Sequence, residues 1–187
     1  MRQDRPSAKD SSGIDAGDRL RGKAGLEACQ RTRSCSPSPD CANVAGRATA
    51  ANDPLAIESV RVRPGRIELS VRVANRRYAS TTPQLIEYCL QKVPTLGMHA
   101  CRNSVGPTFA HVMRNTSVPH LLEHLIVDAQ TRVANDPARV FAGTTQWSAE
   151  DSLMATVTVS YEDDLAALRS VKESLAFLNR ALTEVLG

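Results

Sequence analysis

Aromatic residues are scarce in this chain, with one Trp, three Tyr and three Phe among 187 residues. A core built from it must rest on Leu, Val, Ile and Ala. No apolar run approaches the roughly 20 residues that a membrane-crossing helix needs. The first thirty residues are charged and contain no apolar stretch, so no secretory signal is read there. The cytoplasm is the expected compartment, with no membrane partner. Cysteine is limited as well. The five, Cys29, Cys35, Cys41, Cys89 and Cys101, are odd in number, and no two stand as Cys-x-x-Cys. That argues against a disulfide framework, and against a structural zinc site among the first three, which are read as reduced thiols.

Most of the chain also lacks a charge bias. Residues 1–52 carry nine Lys or Arg against six Asp or Glu, which accounts for the whole net charge of +3. The remainder is neutral, so no specific nucleic-acid partner is expected. Residues 1–52 are rich in Ser, Arg, Asp, Ala and Gly, with Ser36-Pro37-Ser38-Pro39 in their midst. Such a composition cannot bury enough apolar surface to offset the entropy of ordering, and a disordered polar tail is predicted. Gly17 to Ala24 reads G-x-x-x-x-G-K-A, but Ala24 stands where a phosphate-binding loop has Ser or Thr. No strand precedes it, so the match is taken as chance.

Residues 55–187 read as one small α+β domain. Two hairpin-like strand pairs are predicted to form a small mixed sheet packed against three to four helices. Ile57, Val60, Val62 and then Ile67, Leu69, Val71, Val73 largely alternate with polar residues around Pro64-Gly65, the signature of a hairpin with one buried face. Thr82-Pro83 starts a helix that runs to about Val93, where Pro94 stops it. A short helix is expected around Thr108 to Arg114. Ser117 and Pro119 open a longer one, ending near Ala134 before Asn135-Asp136-Pro137. Strands are expected at Arg139 to Ala142 and Leu153 to Tyr161. The last helix begins near Asp163, where acidic residues complement the helix dipole. Its stripe of Leu168, Val171, Leu175, Leu178, Leu182 and Val185 is expected to pack on the sheet, though it also allows a homo-oligomer through a dimer seam.

The chemistry is concentrated on the helix after Ser117. Leu121, Leu122, Leu125, Ile126, Ala129 and Val133 fall on one broad side of its wheel. His120, Glu123, His124, Val127 and Thr131 fall on the other. The histidines are therefore expected to face solvent or a groove roofed by another element. Imidazoles at i and i+4 stand one turn apart and can share a metal ion, with zinc expected. Glu123 lies beside them, and a carboxylate there can take a proton from a water that the metal acidifies. His-x-x-Glu-His is the order of the inverted zinc-peptidase motif. Glu123 is thus the candidate base, and His120 and His124 are the candidate metal ligands. A third ligand is needed. His99 is one candidate. Asp128 is another, though its Cα lies about 12 Å along the axis from that of His120. That distance suits it better to orienting a histidine. Glu162 and Asp163 are helix-start acids first. The pitrilysin and insulinase peptidases resemble this chain only at the five motif residues, and membership there is not read.

A broader pattern runs from about Pro83 to the C-terminus. It comprises the Pro-opened helix, Val93-Pro94-Thr95-Leu96, His99-x-Cys101, Phe109 ahead of the cluster, Asp128 and Gln130 after it, then Phe141, a strand and a long final helix. In this order and spacing the chain resembles the N-terminal domain of cyanophycin synthetases. The resemblance implies a domain that in some members holds a metal-dependent, peptidase-like site on His-x-x-Glu-His and trims an Asp–Arg polymer into primers. Synthesis in that family belongs to ATP-grasp and Mur-ligase-like domains, which are not found in these 187 residues. The family's Gly-Phe-Gly-Arg-Thr-Arg corresponds here to Val140-Phe141-Ala142-Gly143-Thr144-Thr145, without either arginine. Arginines suit bidentate capture of carboxylates. Two readings follow. One is a metal-dependent hydrolase of peptide or isopeptide bonds, its substrate a peptide or a cyanophycin-like polymer. The other is a non-catalytic module that binds a polymer or a partner.

Overall fold

The computed structural model describes residues 53–136 and 138–187. The polar tail, its three cysteines and the Gly17–Ala24 stretch lie outside the described residues. Among those described are four strands and three α-helices, as expected of an α+β domain: β1 (Leu55–Arg63), β2 (Arg66–Val73), α1 (Pro83–Lys92), α2 (Val118–Ala134), β3 (Gly143–Trp147), β4 (Met154–Ser160) and α3 (Asp164–Leu186). The strands lie in the order β1-β2-β4-β3. Every pairing is antiparallel, so the sheet is not mixed. Both outer pairs are hairpins, which can only be antiparallel, and β2 meets β4 in the same sense.

Gly65, at φ +73°, occupies the left-handed region in the β1–β2 turn, where a side chain would be strained. The alternation in β1 breaks between Ile57 and Val60, which are three residues apart. A bulge between Ile57 and Ser59 absorbs the extra residue. It returns Val60 and Val62 to the face of their partners Leu69 and Ile67. On β2 every second residue, Ile67, Leu69, Val71 and Val73, is buried, as the pattern predicts. On β1 the far end stays open, with Val60 and Val62 exposed.

The helix boundaries follow their caps. The Thr82 side chain accepts from the Leu85 N–H, and that of Ser117 from the His120 N–H. Asp163 caps α3 in the same way, accepting from the Ala166 N–H. Asn135, at φ 47°, is the left-handed residue that ends α2. Two expectations need correction. The segment expected as a helix near Thr108 to Arg114 is a single 3-10 turn at Phe109–His111. The strand expected at Arg139 to Ala142 begins instead at Gly143. Arg139 turns to Asp136 and Glu162 in ion pairs, and Val140 is exposed. That stretch therefore forms no ladder.

α2 packs on β3 and β4, and α3 lies against α2, α1 and β1. The α3 stripe reaches the sheet only at its rim and mostly fills the space between helices. A polar link closes the same seam. Asn179 on α3 accepts from the Leu55 N–H and donates to the Leu55 C=O, each at 2.9 Å. The amide thus acts as a one-residue strand that covers the start of the β1 edge. Asn179→Ala leaves both buried backbone groups unpaired. It is expected to lower unfolding free energy by about 2–3 kcal/mol, read as a lower urea midpoint at unchanged slope.

Candidate metal centre

α2 is buried around most of its circumference, so Glu123, His124, Asp128 and Gln130 face protein rather than open water. Glu123 is 5% exposed and His124 4%. A groove of about 1060 Å³ runs above them. Its floor is the His120–Thr131 face of α2. One wall is the loop around His99 to Pro107, and the other is Arg139–Trp147, including all of β3. Of the two settings the sequence allowed for the histidines, the structure shows the roofed groove.

The imidazoles are held by packing. The Phe109 ring stacks on His124 at 3.9 Å between centroids and meets His120 edge-on at 5.2 Å. The short turn that carries Phe109 therefore sets both ring planes. Thr116 Oγ1 lies 2.8 Å from His120 Nδ1, which leaves Nε2 to face the groove. Cys101 Sγ lies 3.5 Å from that Nε2. Donor atoms of Cys101, His120 and His124 all lie within 4.8 Å of one another. A tetrahedral zinc ion with bonds of about 2.0–2.3 Å holds its ligand atoms roughly 3.3–3.8 Å apart, so the Cys101–His120 spacing already fits and a gap near the 4.8 Å limit would have to close by about 1 Å.

His124 carries the clearest evidence of fit. Both of its ring nitrogens are buried, and neither has a hydrogen-bond partner. Each such orphan costs about 1–3 kcal/mol. Burial, reinforced by the neighbouring His120 and His99 rings, holds its pKa down to about 3. Burial also pushes the His120 pKa below its ordinary value. Both imidazoles are thus kept neutral, the form in which they ligate a metal. The donor set of one thiol and two neutral imidazoles suits zinc.

The sequence reading did not assign Cys101 to the site. Of its third-ligand candidates, His99 stands beside the trio, 5.6 Å from His124 between ring centroids, but turns its Nε2 to Asp128. His99 Nε2 is 3.3 Å from Asp128 Oδ1, and Asp128 also accepts from Thr95 Oγ1 and Arg132 Nε, each at 2.7 Å. Burial alone would raise the Asp128 pKa, but the hydrogen bonds from His99, Thr95 and Arg132 outweigh it and hold the carboxyl below the usual range. Asp128 therefore anchors the Thr95–His99 loop to α2, and that loop continues directly into Cys101. Glu162 is exposed and pairs with Arg139, while Asp163 caps α3. The signal for Cys101 was present in the sequence as His99-x-Cys101. Its nearness to His120 arises only because the loop folds back, with Cys101 N–H bonded to Pro107 C=O and Phe109 N–H to His99 C=O. Cys89, by contrast, is a core residue whose thiol burial pushes up to about 12.

Glu123 shares the groove-facing side of α2 with the two histidines, and its carboxylate turns toward β3. Thr145 Oγ1 donates to its Oε2, and burial raises its pKa against the opposing effect of that bond. Gly143 makes room for it. A Cβ at Gly143 would fall 2.5–2.8 Å from the Glu123 Cγ, Oε1 and Cδ. Gly143→Ala is expected to displace the Glu123 side chain and leave Cys101, His120 and His124 in place. Zinc titration of that variant should then match the parent. Cys101→Ala should weaken zinc by more than the about 10–100-fold that losing a supporting residue costs, and His99→Ala by no more than that range.

No curated relative matches the chain. A family model described as the cyanophycin synthase-like N-terminal domain matches residues 66–183, a span that takes in β2, β3 and β4, α1, α2, all but the last three residues of α3, and every residue of the centre just described. The chain belongs to the cyanophycin synthase-like N-terminal domain family.

Proposed function

We propose that the chain is a metal-dependent hydrolase of peptide or isopeptide bonds, with Cys101, His120 and His124 as the metal ligands and Glu123 as the general base. The observation that carries this reading is the buried, unpartnered imidazole of His124 beside a second imidazole and a thiol, at the floor of an open groove. Three protein ligands leave a fourth position for water or substrate, the arrangement of catalytic rather than structural zinc sites. When bound, the ion supplies Lewis acidity that brings water within reach of deprotonation near neutral pH.

The chain's own residues supply the rest. Glu123, with a raised pKa, suits both taking a proton from the attacking water and passing it on to the departing amine. Water oxygen bonds to the scissile carbonyl carbon and the C–N bond breaks. The products are a carboxylic acid and an amine. Thr145 holds one carboxylate oxygen of Glu123, which limits its swing. Phe109 keeps the two rings in register and excludes water from their inner side.

Zinc-replete purification should yield about one zinc per chain by elemental analysis. Glu123→Gln should keep that zinc and lower the cleavage rate on an Asp–Arg polymer or a peptide pool by about 10²–10⁴-fold. Absence of bound metal after such a purification would remove the basis of the reading. A chain that binds polymer equally well with and without a chelator, and cleaves nothing, would instead be a binding module.

A further inference from the structure

The two edges of the sheet are built differently. β1 is defended along its length. It has a bulge at Ile57/Ser59, charged Glu58, Arg61 and Arg63, and the Asn179 amide over Leu55. Those are the devices by which natural edge strands resist pairing with another chain. β3, the opposite edge, reads Gly143-Thr144-Thr145-Gln146-Trp147. It has no charge, no proline and no bulge in its ladder with β4.

The register shows which backbone groups it offers. Ser160 N–H donates to Ala142 C=O and Ser148 N–H to Met154 C=O, each at 2.8 Å. Bonded pairs alternate along an antiparallel ladder, so Thr144 and Gln146 turn their N–H and C=O toward β4. Gly143, Thr145 and Trp147 turn theirs outward. Among the described residues no hydrogen bond engages those outward groups. The same residues line the groove over the candidate metal centre. A strand added there would lie about 4.8 Å beyond β3, over the floor formed by His120, His124, Val127 and Thr131.

We propose that the substrate of this site is an extended polypeptide main chain that pairs with the free edge of β3 as a fifth strand, bringing a backbone carbonyl over His120 and His124. The inference rests on the hydrolase reading of the same groove. Main-chain hydrogen bonds provide the affinity in such strand addition, and alternate side chains provide selectivity. Gly143 and Thr145 thereby have two roles, since they hold Glu123 on one face and the substrate at the edge.

The test uses the full chain carrying Glu123→Gln, loaded with zinc and mixed with an aspartate decapeptide, with backbone amide exchange followed residue by residue. The expected result is exchange slowed at least about tenfold at Gly143 and Thr145 and unchanged at Thr144 and Gln146, whose amides already bond to β4. The same decapeptide N-methylated at every amide should produce no slowing. Peptide that binds while Gly143 and Thr145 exchange as before overturns the proposal, and so does the absence of binding. Outward amides already protected without peptide, in a chain that sediments as a dimer, would assign the edge to a second copy and equally overturn it. Zinc content of the same sample separates the two readings. Bound metal without protection at β3 defeats edge pairing alone. Protection at β3 without metal defeats the hydrolase and leaves the edge pairing standing.

Discussion

His124 is an imidazole buried on a helix that packs against a sheet, with nothing to hydrogen-bond either nitrogen. Burying it that way costs free energy, and the surroundings are arranged so that it cannot escape. Phe109 is stacked on it, and the rings of His120 and His99 lie 4.9 and 5.6 Å away between centroids. A neutral, desolvated ring with an unused lone pair is a poor core residue and a good metal ligand. The remaining features of the groove either create this situation or make use of it.

The scaffold that does so is assembled from three separate stretches of chain. α2 supplies two imidazoles and the carboxylate. The loop before Phe109 supplies the thiol, and it is pinned to α2 through Thr95, His99 and Asp128. The β3–β4 hairpin supplies the wall that buries Glu123, with Gly143 leaving space and Thr145 donating the hydrogen bond. Gln130 adds a further tie, donating to the Ser160 C=O at the end of β4. Gly143 and Thr145, the two positions matched to arginines in the resemblance drawn from the sequence, line the groove beside Glu123, one with no side chain and the other with a small hydroxyl.

A sheet of four strands has two edges, and this one spends its protective features on β1. The consequence is an uncharged strand bordering an open groove. α2 packs against β3 and β4, and its His120–Thr131 face and β3 together line that groove. Among the described residues no helix is long and apolar enough to cross a membrane.

Much of the architecture was legible in the residues themselves. Apolar alternation in β2, the caps at Thr82, Ser117 and Asp163, and the stop at Asn135 are local effects, set by backbone sterics and by hydrogen bonds within a few residues. The i, i+4 spacing of His120 and His124 is likewise a property of any helix, so the pair could be named before any fold was known. Other features were not local. The start of β3 slipped to Gly143 because Arg139 found acidic partners, one of them on the far side of β4. Cys101 joined the histidines only when its loop folded back on Pro107 and Phe109. The orientation of Asp128 toward His99 was likewise decided by packing. So was the shielding of Glu123 by a strand 20 residues away in the chain. Spacing along the chain determined which side chains share a helical face, because the helix repeat is fixed by backbone geometry. Tertiary structure decided which distant groups complete the site and which are buried beside it, because those contacts depend on how separate elements exclude water from one another.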